Sequence, residues 1–141
     1  MSFSKEEISK VFNTIRKKTL IAHLDIEFVD CSEDFMILKM PVNASVHQPD
    51  GVLHGGATVA LAETTGSFAA QILMDLDKVF VRGIEISANH LKSVKEGYVY
   101  AKGVYLHKGR TTQLIEIRVT DDHDNLISLC KLTTIALPKS K

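Results

Sequence analysis

The stretch that decides the fold is HGGATVALAETTGSFAAQILM, residues 54–74. From Gly55 to Met74, small and apolar residues occupy every side of the predicted helix, and no proline interrupts it. A helix without a polar face is a buried helix, because packing of its apolar surface stabilises it. We therefore predict one long central helix that the rest of the chain covers.

The segment before this helix predicts a short helix followed by a β-hairpin. Ser4 and Glu7 form a capping-box pattern, and apolar residues follow at helical spacing up to Ile15. Residues 24–28 and 36–42 then alternate between apolar and polar side chains on either side of a Ser-Glu-Asp turn. This alternation is typical of two paired strands.

The segment after the helix predicts four more strands. Period-two alternation begins near Ile84 and continues to the C-terminus, with three short turn signals between the strands. In this pattern His90 shares the parity of Ile84, Ile86 and Ala88, so it faces the interior or a dimer seam. About six strands cannot surround one helix without curling. The predicted fold class is therefore α+β, a curved antiparallel sheet wrapped around one long central helix.

Length and composition favour a single domain that spans 1–141. Lysine plus arginine (17) balance aspartate plus glutamate (17), so no net positive field attracts nucleic acid or an anionic membrane. Cys31 and Cys130 lack CxxC spacing and are predicted to be reduced core thiols. No stretch resembles a secretory leader or a membrane span. We expect a soluble, cytoplasmic protein.

Glu63 is the only ionisable residue between Gly55 and Met74. An unpaired buried carboxylate costs several kcal/mol, and the sequence offers no cation three or four residues away on the helix. Buried acids of this kind often have a chemical function. We therefore predict that Glu63 is catalytic; the alternative is that it lies at a locally hydrated edge of the helix.

The helix start at His54-Gly55-Gly56 is a candidate oxyanion site, because the first N–H groups of a helix have no intrahelical acceptor. The alternative is that the glycines only allow the helix to approach the sheet closely. At 1.5 Å per residue, Glu63 lies about 12 Å along the axis from Gly55. One carbonyl cannot contact both groups, so if both serve one reaction they come from two subunits. We therefore predict an obligate dimer.

Four further residues are weaker candidates when taken singly. Ser67 lies one turn after Glu63 and can hydrogen-bond the carboxylate or a water, and Gln48 is an uncharged donor in the preceding loop. His54 and His90 would more often be structural. The sequence contains no GxSxG, nucleotide-binding glycine or metal-ligand motif, so we expect no metal or redox cofactor.

A family resemblance rests on QPDGVLHGGA at 48–57 and LAETTGS at 61–67. These runs resemble the hotdog-fold acyl-CoA thioesterases of the PaaI and 4-hydroxybenzoyl-CoA thioesterase (Arthrobacter-type) group. Within that group, the closest match is to the branch that contains the 1,4-dihydroxy-2-naphthoyl-CoA thioesterases and the proofreading thioesterase of enterobactin synthesis. Supporting matches lie at 86–92, 106–110 and 129–137, so the resemblance covers nearly the whole chain.

The resemblance implies a dimer, usually assembled into a homotetramer, with each active site shared across the dimer interface. It matches the family's catalytic glutamate to Glu63, its carbonyl-polarising N–H to Gly55 with help from Gln48 and His54, and its helper hydroxyl to Ser67. The expected substrate contacts are Gly56, Thr64, Phe68, His90, Lys92 and Arg110, of which the last three hold the nucleotide end of CoA. CoA is part of the substrate, so no separate cofactor is implied.

Two departures from the family pattern concern the substrate. Asp50 replaces an aromatic residue common in the closest branch, and Phe68 is larger than the residue often found there. We expect an altered acyl pocket, which leaves aryl and medium-chain acyl groups both open. Two other functions also stay open: hydration or dehydration of acyl thioesters, and non-catalytic acyl-CoA binding. The intact set of Gln48, His54, Glu63 and Ser67 favours hydrolysis to a free acid and a thiol.

Overall fold

The computed structural model describes residues 3–140. In chain order its elements are α1 (Lys5–Ile15), α2 (Leu20–His23), β1 (Glu27–Cys31), β2 (Phe35–Pro41), a short 3-10 helix (Ala44–Val46), α3 (Gly55–Gln71), β3 (Val79–His90), β4 (Tyr98–Lys108), β5 (Thr112–Thr120) and β6 (Leu126–Pro138). Met1, Ser2 and Lys141, which the predicted domain includes, lie outside the described residues.

The six strands form one antiparallel sheet in the order β1-β2-β4-β5-β6-β3. Helix α3 packs against β2, β3, β4, β5 and β6. The prediction of an α+β fold with an antiparallel sheet around one central helix is confirmed. Strand β3 follows α3 directly in the chain. Among the described strands it pairs only with β6, so it forms one edge of the sheet.

Helix α3 is central because its side chains are small or apolar on all sides. Leu61, Ala62 and Phe68 are almost completely buried, and Gly56 is the only exposed residue of this helix. The buried Thr65 hydroxyl donates to the Leu61 carbonyl oxygen at 2.8 Å, so its burial leaves no unpaired donor. The predicted helix is confirmed, although it ends at Gln71.

The N-terminal segment agrees with the sequence pattern at α1 and departs from it at β1. The Glu7 N–H donates to the Ser4 hydroxyl at 3.2 Å, and the Ser4 N–H donates to Glu7 Oε2 at 2.7 Å, so the predicted capping box is present. The first strand begins only at Glu27, because Leu20–His23 forms the additional turn α2. The predicted strand at residues 24–28 therefore starts too early.

Edge strand β3 contains a β-bulge that changes which side chains face α3. Gly83 and Glu85 pair with consecutive residues of β6, so Ile84 is an extra residue. As a result Ile84 is 56% exposed, whereas Ile86 is half-buried against the core. The prediction that Ile84 has the same parity as His90 is wrong, because a strict two-residue period cannot reveal the inserted residue.

Two further sequence expectations concern cysteines and membranes. Cys31 and Cys130 are both free and buried, and burial raises the pKa of each thiol. Within residues 3–140, no helix has the length and apolar character that crossing a bilayer requires.

Candidate active site

Glu63 lies in the middle of α3, half-buried against the edge strand. Its Oε1 would lie only 2.9 Å from a Cβ atom built on Gly83 of β3, so the carboxylate sits directly over the glycine backbone. Among the described residues, no lysine, arginine or histidine forms an ion pair with Glu63. The carboxylate is therefore available to act on a substrate.

Gly83 is a site residue that was not predicted from the sequence. Any side chain at this position would occupy the space of the Glu63 carboxylate. A glycine inside a strand often marks a bulge or a close approach, and Gly83 marks both. The isolated glycine within the apolar run VFVRGIEI was the available signal.

We expect Gly83→Ala to lower turnover about 10- to 100-fold while the protein stays folded, because displacing a reacting group by about 1 Å can cost on the order of 10²-fold in rate. The new methyl group would displace the flexible Glu63 side chain at little cost in stability. Gly103→Ala is the matched control, because its methyl would contact Ile115 at 3.2 Å and not Glu63. Steady-state kinetics and thermal melts of both variants provide the comparison. Equal activity losses in the two variants would contradict this account of Gly83.

The side chains around Glu63 form a cavity of about 190 Å³, the Glu63 cavity. It is lined by Phe12, Ile15, Ile21, Glu63, Thr64, Ser67, Phe68 and Gln71. The Thr64 hydroxyl donates to the Ala60 carbonyl oxygen at 2.6 Å, so its proton already has an acceptor. The Ser67 hydroxyl has no hydrogen-bond partner in the part of the chain that the structure describes. Of the two hydroxyls, Ser67 is therefore the one free to contact a substrate or a water.

The N-terminus of α3 presents N–H groups without acceptors. His54 is the N-cap, and its Nδ1 accepts a hydrogen bond from the Gly56 N–H at 2.8 Å. The Gly56 N–H, predicted to contact substrate, therefore already has an acceptor. The N–H groups of Gly55 and Ala57 have none among residues 3–140. Because Nδ1 accepts, the neutral His54 ring carries its proton on Nε2.

His90, the last residue of β3, packs against the start of α3. A Cβ atom on Gly55 would lie 2.9 Å from His90 Nε2. The His90 Nδ1 lies 2.9 Å from the Ser128 hydroxyl, which donates its own proton to the Asn89 carbonyl oxygen at 3.1 Å. Nδ1 is therefore the donor in the His90–Ser128 pair, which leaves a lone pair on Nε2 beside the helix start.

Cys130 of β6 pairs with Ala88, two residues before this histidine. Its sulfur is 3.6 Å from the Ser128 hydroxyl oxygen. Burial raises the pKa of the Cys130 thiol, which keeps it protonated and poorly reactive. The chemistry of this region therefore rests on N–H donors and not on a thiolate.

A second cavity, of about 320 Å³, opens beside Gly55 and is named the Gly55 cavity. It is lined by Gln48, Val52, Leu53, Gly55, His90, Leu91, Lys92, Ser93 and Ile127. The Gln48 side-chain amide donates to Asp50 Oδ1 at 2.8 Å, which holds the amide in place and leaves its second N–H free. The structure thus brings together four of the predicted residues, Gln48, Gly55, His90 and Lys92, whereas His54 does not line this cavity.

The two cavities share no lining residue within one protomer. The Glu63 half of the site packs on Gly83, and the Gly55 half packs on His90. Gly83 and His90 lie on the same strand, roughly 20 Å apart at the usual rise per residue. The carboxylate and the helix-start donors therefore form two separate half-sites at different points along β3.

Arg110 belongs to neither half-site of its own protomer. It lies in the turn before β5. Thr112, at the start of β5, and Arg82 on β3 both pair with Ile135 of β6, so Arg110 lies at the Arg82 end of the sheet. His90 is at the other end of β3, about 25 Å from Arg82 at the rise of an extended strand. The predicted grouping of Arg110 with His90 and Lys92 is not formed within one chain.

No group of three histidine, cysteine, aspartate or glutamate side chains is close enough to hold a metal ion among residues 3–140. The groups that the half-sites offer are a carboxylate, a hydroxyl, backbone and amide N–H donors, and two imidazoles. These groups are suited to acyl transfer, in which an oxyanion needs donors and a carbonyl needs a nucleophile or base.

Comparison with known proteins finds relatives whose names refer to ester hydrolysis. A protein of Vibrio cholerae, named provisionally as an esterase, is 40% identical over 142 residues, which cover 100% of this chain and 93% of the relative. ComA2 of Bacillus subtilis, also named provisionally as an esterase, is 45% identical over 123 residues, which cover 87% of this chain and 98% of the relative.

Solved structures and a family model agree with these relatives. A variant of a Pseudomonas aeruginosa thioesterase superposes with a TM-score of 0.91 at 32% identity, covering 99% of this chain and 97% of that one. A Haemophilus influenzae thioesterase gives a TM-score of 0.87 at 34% identity, covering 98% and 93%. The thioesterase superfamily model matches residues 50–128, more than half of the chain. The chain therefore belongs to the thioesterase superfamily and has its hotdog fold.

Proposed function

We propose that the protein hydrolyses acyl-CoA thioesters, with Glu63 as the catalytic carboxylate and the Gly55 N–H as the group that polarises the carbonyl. The observation that carries the proposal is the pair of half-sites on β3. An unpaired carboxylate lies over Gly83, and a helix start with free N–H donors lies at His90. Thioester hydrolysis needs both kinds of group on one carbonyl.

The proposal includes a homodimer in which the β3 edges of two chains pair. Among the described strands only β6 pairs with β3, so the other edge of β3 exposes unpaired backbone groups. Antiparallel pairing about a twofold axis midway along the strand brings Gly83 of one chain opposite the partner's His90. Glu63 and the partner's Gly55 then lie across an interface whose strands are about 5 Å apart.

In the proposed reaction the thioester carbonyl oxygen accepts hydrogen bonds from the partner's Gly55 N–H, His54 Nε2–H and Gln48 amide. Glu63 either attacks the carbonyl carbon, giving an anhydride that water opens, or takes a proton from an attacking water. In both routes the C–S bond of the tetrahedral oxyanion breaks, the thiol leaves with a proton from water, and the acid is released. No metal or separate cofactor takes part.

Variants of a related protein support the assignment of Gln48 and Glu63. A Staphylococcus aureus thioesterase structure, 33% identical to this chain, is that of a glutamine-to-alanine variant, and a second structure of the same protein is that of a glutamate-to-alanine variant. The two replaced residues are fifteen positions apart. Gln48 and Glu63 have the same separation in this sequence.

The experiment that tests the function is a thiol-release assay with aryl-, short-chain and medium-chain acyl-CoA substrates. Hydrolysis releases free CoA and the acid in equal amounts. A hydratase or dehydratase would change the acyl group without releasing thiol, and a binding module would do neither. Absence of thiol release across the panel would reject the proposal.

We propose that the Gly55 cavity holds the CoA arm. Lys92 is an exposed cation at this cavity, and His90 Nε2 is an acceptor suited to an amide N–H of the pantetheine chain. In the proposed dimer, antiparallel pairing brings the partner's Arg82 end of β3 towards His90, and Arg110 lies at that same end. Arg110 would then reach the CoA phosphates from the partner subunit.

We expect Ser128→Ala to raise KM for acyl-CoA about three- to tenfold with little change in kcat, the effect of one hydrogen bond of about 1 kcal/mol. Without the Ser128 acceptor, the Nδ1 proton no longer fixes the His90 ring with its Nε2 lone pair towards the cavity. Ser87→Ala, on the opposite face of β3, is the control. A fall in kcat without a change in KM would contradict this role for His90.

Finer parts of the proposal rest on the resemblance. We propose that the chain is a PaaI-like and 4-hydroxybenzoyl-CoA thioesterase-like enzyme and that its dimers pair into a homotetramer. We also propose a cytoplasmic location, where acyl-CoA is found and the buried thiols of Cys31 and Cys130 stay reduced. Asp50, which binds the Gln48 amide here, gives this loop a different chemistry from the aromatic residue of the closest branch.

A further inference from the structure

An apolar groove lies between α1 and the C-terminal end of α3 and encloses about 580 Å³, a volume typical of small-molecule sites. Its walls include the side chains of Phe3, Val11, Ile15, Phe68, Leu73 and Leu76. Val11, Ile15 and Leu76 are 48%, 41% and 43% exposed. Single exposed apolar residues are ordinary, but a concave group of them marks a surface that binds an apolar partner.

This α1–α3 groove adjoins the Glu63 cavity. Ile15, Phe68 and Gln71 line both spaces, so they form the boundary between them. Phe68 is 3% exposed and packs on the ring of Phe12 with a centroid distance of 5.1 Å, which makes this boundary a fixed wall on the helix side. The groove therefore lies next to the position where the proposed function puts the thioester, on the other side of these shared side chains.

We propose that the α1–α3 groove holds the distal part of a saturated acyl chain, which makes medium-chain acyl thioesters the substrate class of the Glu63 site. The inference rests on the proposed function and deepens it. The nature of the occupant follows from the position of the groove next to the Glu63 cavity. A group attached to a carbonyl at Glu63 would enter the groove past Ile15 and Phe68, and the walls that it meets there are mainly apolar.

The length of the chain follows from the helix geometry. Ile72, at the end of α3, lines the groove and lies nine residues after Glu63, about 13.5 Å along the helix axis. An extended chain advances about 1.2 Å per bond, since three backbone bonds span at most about 3.6 Å. A chain of roughly ten to twelve carbons therefore reaches from the carbonyl to the end of the groove.

The test is a chain-length profile of wild type and of Val11→Trp. Val11 lines only the groove, and its exposure allows a larger side chain to fill the groove without disturbing the core. Each methylene that leaves water on binding strengthens binding roughly fourfold. For wild type we expect kcat/KM to rise at least tenfold from butanoyl-CoA to dodecanoyl-CoA. Val11→Trp should lose at least tenfold on dodecanoyl-CoA and stay within twofold of wild type on butanoyl-CoA.

Asn13→Trp, on the exposed side of α1 away from the groove, is the control and should match wild type on both substrates. A flat wild-type profile, or equal losses of Val11→Trp on both substrates, would overturn the groove as a chain site while leaving thioester hydrolysis intact. A change of oligomeric state in Val11→Trp without a change of profile would make the groove a protein interface and would also overturn it. A wild type inactive on every acyl-CoA would reject the proposed function itself.

Discussion

Glu63→Gln is expected to lower kcat for acyl-CoA hydrolysis by about 10²–10⁴-fold, the range for loss of a general acid–base group. Glutamine has the shape of glutamate, but it neither attacks a carbonyl nor takes a proton from water. Because Glu63 forms no ion pair within residues 3–140, the substitution removes no stabilising charge pair, and the fold should persist. Thiol release measures the loss, and thermal melts report the fold.

Glu116→Gln is the matched control, since Glu116 lies on the outer face of β5 beside Arg118 at 3.8 Å. This variant should stay within twofold of wild type. Turnover above one tenth of wild type in Glu63→Gln would reject the carboxylate as the catalytic group. A single turnover of wild type in ¹⁸O-labelled water then tests for the nucleophilic route. Heavy oxygen in the Glu63 carboxylate requires an anhydride that water opens at the glutamyl carbonyl, whereas general-base catalysis places it only in the released acid.

The features that the sequence predicted best are those that local composition determines. Small and apolar residues all round 55–74 require burial wherever that helix packs, so the central helix followed from composition alone. The capping box of Ser4 likewise depends on residues three apart. Family resemblance supplied most of the candidate set, and the structure brings Gln48, Gly55 and His90 to one cavity.

The features that the sequence did not reveal depend on pairing between distant segments. The bulge at Ile84 exists only relative to the register of β6, and the place of β3 at the sheet edge depends on which strands pair. Gly83 matters because the carboxylate of Glu63, twenty residues earlier, rests on it. Ser128 matters only because β6 carries it beside His90. Neither contact leaves a local pattern.

Mixing two inactive variants is expected to restore activity if the site is shared between chains. Glu63→Gln inactivates the carboxylate half-site, and Gln48→Ala weakens the donor half-site, for which loss of one donor typically costs about 10²–10³-fold in kcat. A mixed dimer combines the intact Glu63 of one chain with the intact Gln48 of the other. An equal, randomly assorted mixture should reach about a quarter of wild-type activity, because half of the dimers are mixed and each has one complete site of two.

The same interface predicts that a charge on the β3 edge separates the chains. Ile84 is 56% exposed at the bulge, so Ile84→Glu leaves the core of each chain unchanged but places two carboxylates in the paired edges. We expect this variant to sediment as a monomer and to lose at least about 10²-fold in kcat, since one chain then lacks the partner's oxyanion donors. Leu20→Glu, at 62% exposure on α2, is the control and should stay dimeric and active. Either of two results would contradict the shared site: an active Ile84→Glu monomer, or a mixture of the two variants with no increase in activity. Glu63 would then have to act with the Gly55 of its own chain, and the separation of the two half-sites along β3 opposes this.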